Sequence, residues 1–180
     1  SDFVQIDSSE ASFISSLENS MAPLTISKGV KVWSFAIRDG GADTMDTDTF
    51  PTIISSIVLA QSLGNAVNDW ADAIQSIALI ANTIRIATGL VTSNQVVFTG
   101  SPLLYISDDS FANVSVRLSL QPSLNNTGGN LDLDDFGFSL SSSNLLLEPG
   151  SSQKSPSLTA IASANDSNRI DIIATKLKFV

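Results

Sequence analysis

The chain has 180 residues, 43% hydrophobic, 15% charged and 7% aromatic, with neither Cys nor His and a formal net charge of −9. Without Cys and His there is no Ser-His-Asp or Cys-His nucleophile, no His general base, no Cys/His zinc site, no c-type haem and no disulfide. Nine basic against 18 acidic residues, with no Lys/Arg cluster along the chain, repel phosphate backbones and anionic headgroups, so nucleic acid is not an expected partner.

The acidic excess consists of 15 Asp and 3 Glu. Glu favours helices, whereas Asp favours turns, caps and metal-binding loops, so the skew speaks against a helical protein. Ser makes up about a sixth of the chain, and with Thr and Asn gives the Lys-poor texture of secreted bacterial β-proteins. No stretch approaches the roughly 20 apolar residues of a membrane span, and Ser1–Glu10 lacks the basic and apolar regions of a signal peptide. The expectation is a soluble chain whose export signal lies elsewhere.

Val30–Arg38 (VKVWSFAIR) sets Trp33, Phe35 and Ile37 on one face and Val32, Ser34 and Ala36 on the other, which predicts a strand with one heavy, buried face. Thr52–Ala60, opened by Pro51, carries apolar residues on both faces and reads as a central strand. Asp69 is a candidate cap for one helical turn over Asp69–Ala73, followed by a strand over Gln75–Ala81; the whole of Asp69–Ala81 also fits a helix. Short strands are predicted at Thr83–Ala87 and Gln95–Thr99. Asn113–Gln121 has the cleanest alternation, Val114, Val116, Leu118 and Leu120 against Ser115, Arg117, Ser119 and Gln121, which puts one face in water. Phe136–Leu140, Leu145–Glu148, Ser157–Ser163 and Arg169–Ala174 complete the set, with turn-rich connections at Gln121–Asn130 and Pro149–Pro156. Such a series predicts an all-β fold: a single antiparallel β-sandwich, Ig-like, forming one domain over residues 1–180.

The densest chemical constellation is Asp39, Asp43, Asp46 and Asp48, with Gly40 and Gly41, between two predicted strands. Crowded carboxylates repel unless a cation neutralises them, and oxygen ligands on a flexible loop suit Ca²⁺. The closing Glu and the glycine of an EF-hand are missing, and a solvated loop whose aspartates cap turns accounts for the same residues. Arg38 is placed to offset part of that charge. Asp108-Asp109 and Asp132, Asp134 and Asp135 lie beside strand ends, where Asx-turns are the ordinary role. Trp33 reads as core, its indole N–H reaching a backbone carbonyl. Trp70, between Asp69 and Asp72, is expected near the surface, as an anchor for its turn or a stacking platform; Tyr105 is the other candidate platform.

The run Phe35-Ala36-Ile37-Arg38-Asp39-Gly40-Gly41, then Ala42-Asp43 and Asp46/Asp48 leading into Phe50-Pro51-Thr52-Ile53, resembles a module repeated in very large secreted proteins of Bacteroidetes. Asn68-Asp69-Trp70-Ala71-Asp72-Ala73-Ile74-Gln75 and Val116-Arg117-Leu118-Ser119-Leu120 share the resemblance, which covers most of residues 25–140. Those proteins are multidomain surface or secreted chains with Ig-like repeats and a type IX secretion signal. The closing Ala174–Val180 is similar to a junction between repeats, which implies an excised module with neighbouring modules of the same chain as partners. The resemblance implies a β-sandwich in a structural or adhesive role, located outside the cell, and carries no catalytic residue onto this sequence.

The expected function is therefore a non-enzymatic structural or adhesive module, rigidified by Ca²⁺ at the Asp39–Asp48 loop, with a glycan or cell-surface ligand. The alternative is a carbohydrate-binding module of a secreted polysaccharide-degrading enzyme, using Trp70 and Tyr105. A hydrolase built on an Asp pair lacks an aromatic-lined cleft.

Overall fold

The computed structural model of the chain describes residues 5–10, 13–15, 24, 28–40, 48–121, 125–126, 129–131, 134–153, 159–162 and 170–173; of these, 5–10, 13–15, 125–126, 129–130, 159–162 and 170–173 are described as backbone. In chain order the elements are β1 (Gln5–Glu10), β2 (Phe13–Ser15), β3 (Val30–Arg38), β4 (Thr52–Gln61), one helical turn α1 (Trp70–Ala73), β5 (Ile74–Ala81), β6 (Ile84–Thr88), β7 (Leu90–Val91) and β8 (Gln95–Ile106). There follow β9 (Phe111–Leu120), β10 (Asn125–Asn126), β11 (Gly129–Asn130), β12 (Asp135–Phe136), β13 (Phe138–Ser141), β14 (Leu145–Leu147), β15 (Thr159–Ala162) and β16 (Ile170–Ile173).

Two antiparallel sheets dominate. The first has the order β1-β3-β9-β5-β6; the second has the order β15-β13-β4-β8-β7, with β14 also paired to β4. Two smaller sheets, β10-β11 and β12-β16-β2, accompany them. The described residues thus form an all-β sandwich with one α-helical turn and one 3-10 turn, Ser142–Asn144, between β13 and β14, as the alternation of short apolar strands leads one to expect. Among the described residues no helix is long and apolar enough to cross a membrane.

The core forms because each main strand has a period-two apolar face. Trp33, Phe35, Ile37, Val114, Val116, Leu118, Ile77 and Leu79 of the first sheet join Ile54, Ile57, Leu59, Val96, Phe98, Phe138 and Leu140 of the second in one buried cluster. On β3 the alternation departs from the simple pattern at Val32, which is buried beside Trp33. The register slips between Lys31 and Trp33: two residues oppose one, and the bulge turns Val32 inward. Strand β8 also runs on past its expected end at Thr99. The Gly100-Ser101-Pro102-Leu103 stretch, read alone as a break, loops out while pairing with β4 resumes at Leu104 and Tyr105.

The chain crosses between the sheets repeatedly, from β3 to β4, β4 to β5, β6 to β7 and β8 to β9. Gly89 makes the β6–β7 crossing, with its N–H donating to the Ile77 carbonyl at 2.8 Å. A Cβ there would stand 2.4 Å from Val96 Cγ1 and 2.8 Å from Ile77 Cγ2 and Phe98 Cε1. These three neighbours are core or strand atoms held from several sides, so even a methyl forces the two sheets apart. Gly89→Ala is expected to lower stability by about 2–3 kcal/mol, seen as a lower urea midpoint at unchanged m; an unchanged midpoint would mean the crossing is loosely packed.

Candidate functional site

The predicted site residues fall into three groups. Asp43 and Asp46 lie outside the described residues. Asp39 and Asp48 bracket the same loop and differ in setting. Asp39 follows β3, is only 2% exposed, and donates its backbone N–H to the Ser110 carbonyl at 2.8 Å, tying the end of β3 to the β8–β9 turn. Asp48 is half-buried, and its Oδ1 accepts the Phe50 N–H at 2.6 Å and faces Ser152 Oγ at 3.5 Å. Asp48 therefore makes the Asx-turn that delivers the chain to Pro51 and β4. Among the described residues no group of three or more acidic side chains is assembled to hold a metal ion.

Trp70 is fully buried, which corrects its expected place near the surface and removes it as a stacking platform. The anchoring role is the one it fills. Asp69 caps α1 by accepting the Ala71 N–H at 2.9 Å, and this turn rotates the indole inward. There its ring meets Phe138 at 4.9 Å and Phe136 at 6.4 Å between centroids, and its Nε1–H donates to Asn65 Oδ1 at 2.8 Å. The same Oδ1 accepts the Gly137 N–H at 3.3 Å, while Asn65 Nδ2 donates to the Val67 carbonyl at 2.7 Å. Trp33 is in the core as expected, but its indole N–H reaches no carbonyl among the described residues. Tyr105 is 57% exposed on β8, opposite Ile53 of β4, and stands without an aromatic neighbour among the described rings.

A feature absent from linear reading lies on the outer face of the first sheet. Outward positions of β3 and β9 pair across the strands as Lys31–Arg117, Ser34–Ser115, Ala36–Asn113 and Arg38–Phe111. Together with Ile80 and Asn82 from the β5 side they line an open groove of about 790 Å³, a volume within the range of ligand sites. Arg117 is fixed at one end by donating Nε–H to the Lys28 carbonyl at 3.1 Å and Nη2–H to the Gly29 carbonyl at 2.8 Å. At the other end the Arg38 guanidinium lies 4.9 Å from the Phe111 ring centroid, a cation–π contact that holds the charge over the sheet. Arg38, read from sequence as a counter-charge for the Asp loop, belongs to this face. A small cluster of Leu24, Ala78 and Ile80 closes the β5 margin.

No protein-family model matches the chain, and neither a curated protein nor a solved structure matches it.

The two tryptophans are expected to respond differently to Phe. Trp70→Phe removes a hydrogen bond and ring volume at the Asn65 junction and is expected to cost about 2–3 kcal/mol. Trp33→Phe loses ring volume but no partnered N–H, and should cost about 1 kcal/mol. Urea melts of both variants check this; equal losses would mean that the Asn65 bond contributes nothing.

Proposed function

We propose that the chain is a non-enzymatic structural and adhesive module of a large secreted or cell-surface protein, with Ca²⁺ stiffening the Asp39–Asp48 loop. The observation that carries the reading is the open face of the first sheet. Three paired strands, packed from below by the core, present a row of polar and charged side chains along a groove about 790 Å³ in volume. A site built on strands is positioned by the whole sandwich and is rigid before a ligand arrives, which lowers the ordering cost of binding. The resemblance to repeated modules of Bacteroidetes surface proteins supports the same role and the same extracellular location.

The Ca²⁺ part of the reading is supported by the two ends of the loop. Asp39 holds a buried carboxylate at its root and Asp48 a half-buried one at its exit, and hard oxygen donors on a loop of this kind suit Ca²⁺. A cation there would tie β3, the β8–β9 turn and the entry to β4 together at one end of the module. It would supply charge neutralisation and stiffness and take part in no reaction.

A thermal melt of the EDTA-treated chain tests this. Ca²⁺ at about 1–5 mM, well above Kd, is expected to raise Tm by about 5–10 °C, with Mg²⁺ giving much less. Asp39→Asn or Asp48→Asn should abolish most of the shift. No shift with Ca²⁺ would return these aspartates to turn-capping roles and leave a metal-free module.

A further inference from the structure

We propose that the groove on the outer face of the first sheet binds an acidic polysaccharide, a chain of sugar units bearing well-separated carboxylate or sulfate groups. This deepens the adhesive reading above and rests on it for the class of ligand.

The argument is one of spacing. Reading along the paired strands, the outward rungs are a cationic pair (Lys31–Arg117), a hydroxyl pair (Ser34–Ser115), a methyl and an amide (Ala36–Asn113), and a cation on a ring (Arg38–Phe111). Lys31 and Arg38 are seven residues apart on one strand, roughly 20 Å. Positive charge thus stands at both ends, with neutral hydrogen-bonding groups between. An acidic polysaccharide has the matching pattern: anionic groups set apart along the chain, hydroxyls between them. A nucleic acid strand, with a charge every few ångströms and bases that need stacking surfaces, does not. Of the two groove-lining aromatics, Phe35 is buried and Phe111 already carries the Arg38 guanidinium.

Charge distribution favours the same ligand. All five basic side chains among the described residues, Lys28, Lys31, Arg38, Arg85 and Arg117, lie on this face or border it: Arg85 pairs with Ile80 at the β6 edge, and Lys28 precedes β3 at the Arg117 end. Strand β1 pairs with β3 at this margin, with Gln5, Asp7 and Ser9 at register with Arg38, Ala36 and Ser34. A chain of net charge −9 repels a densely charged polyanion more strongly at a distance than a sparsely charged one. The Arg38 guanidinium is suited to paired hydrogen bonds with carboxylate or sulfate oxygens, whereas Arg117, whose Nε–H and Nη2–H are taken by the Lys28 and Gly29 carbonyls, contributes its charge.

The test is isothermal titration of the full chain with hyaluronan oligosaccharides, which carry one carboxylate per disaccharide, with κ-carrageenan oligosaccharides, which carry one sulfate per disaccharide, and with neutral dextran of similar length. Binding of at least one charged polymer and none of neutral dextran is expected, and comparison of the two charged polymers tells carboxylate from sulfate recognition. Lys31→Gln and Arg38→Gln should each weaken binding about tenfold. Asn113→Asp, an isosteric change at an exposed rung, should weaken it similarly by adding a negative charge, with the melt of each variant unchanged. Equal binding of neutral dextran, no binding of either charged polymer, or indifference to all three substitutions would overturn the proposal. Loss of binding in Tyr105→Ala with Arg38→Gln unaffected would move the site to the other sheet and overturn it too. Cleavage of either charged oligosaccharide by the wild-type chain would overturn the non-enzymatic reading instead, a result distinct from failure of the groove.

Discussion

The side chain of Asn65 is the junction on which much of this sandwich depends. With one amide it accepts the Trp70 indole N–H and the Gly137 backbone N–H and donates to the Val67 carbonyl. Three segments that are remote or differently shaped, the β4–α1 connection, the helical turn and the β12–β13 corner, are thereby fixed to one another. Burying Trp70 against Phe136 and Phe138 removes a large apolar surface from water, but an indole N–H taken inside without an acceptor would cost about 1–3 kcal/mol. Asn65 removes that penalty. Gly137 lets the corner approach, since a Cβ there would lie 2.3 Å from Ser62 Oγ and 2.7 Å from the Asn65 backbone nitrogen. On a total stability of roughly 5–15 kcal/mol, a junction of this size decides whether β5 is delivered to its place beside β9.

That delivery matters for the grooved outer face because β5 is an inner strand of the first sheet. Its inward residues Ile77 and Leu79 belong to the main core, while Ala78 and Ile80 belong to the cluster with Leu24 on the outer side. Each central strand thus divides its work by parity. On β9, Val114, Val116 and Leu118 hold the sheets together, and Asn113, Ser115 and Arg117 face the groove. Because the two sets alternate on one backbone, the outer set varies without changing core volume, yet every outer side chain inherits the register that the core enforces. The core and the groove are separated by a single residue step.

What was legible in the sequence was governed by local physics. Alternation disclosed β3, β4 and β9, and Asp69 before an apolar run disclosed the single turn and the strand after it. Where neighbours misled, the deciding partner was remote. Trp70 sits between two aspartates that suggest a surface, and its burial follows from Asn65 and from aromatic residues more than sixty positions later. Strand β8 looked finished at Gly100 because turn residues there mark a break, whereas pairing with β4 carries the strand across a bulge. The groove could not be seen at all. Arg117 meets the Gly29 carbonyl over a separation of 88 residues, so a face with several cations leaves no Lys/Arg cluster along the chain; only strand register creates it.

The same register also explains how an acidic protein can present a cationic face without losing its acidic character. The acidic residues whose side chains are described lie mostly where strands begin or end or in connections: Asp39, Asp48, Asp108, Asp109 and Glu148 beside β3, β4, β8, β9 and β14, and Asp69, Asp72, Asp134 and Asp135 around α1 and β12; Asp7 and Glu10 fall within β1 and Asp171 within β16. Strand interiors carry the cations because Lys and Arg stems lie along a sheet with their charges in water, whereas Asp is short and belongs to turns. Sequence preferences therefore go far towards sorting the side chains described, with acidic residues at strand ends and cations on one face. A polyanion approaching from the ends meets repulsion, and Asp39, Asp108 and Asp109 stand just beyond Arg38, so favourable contact is confined to the length of the groove. Like-charge repulsion outside a short attractive stretch is a means of selectivity as much as attraction within it.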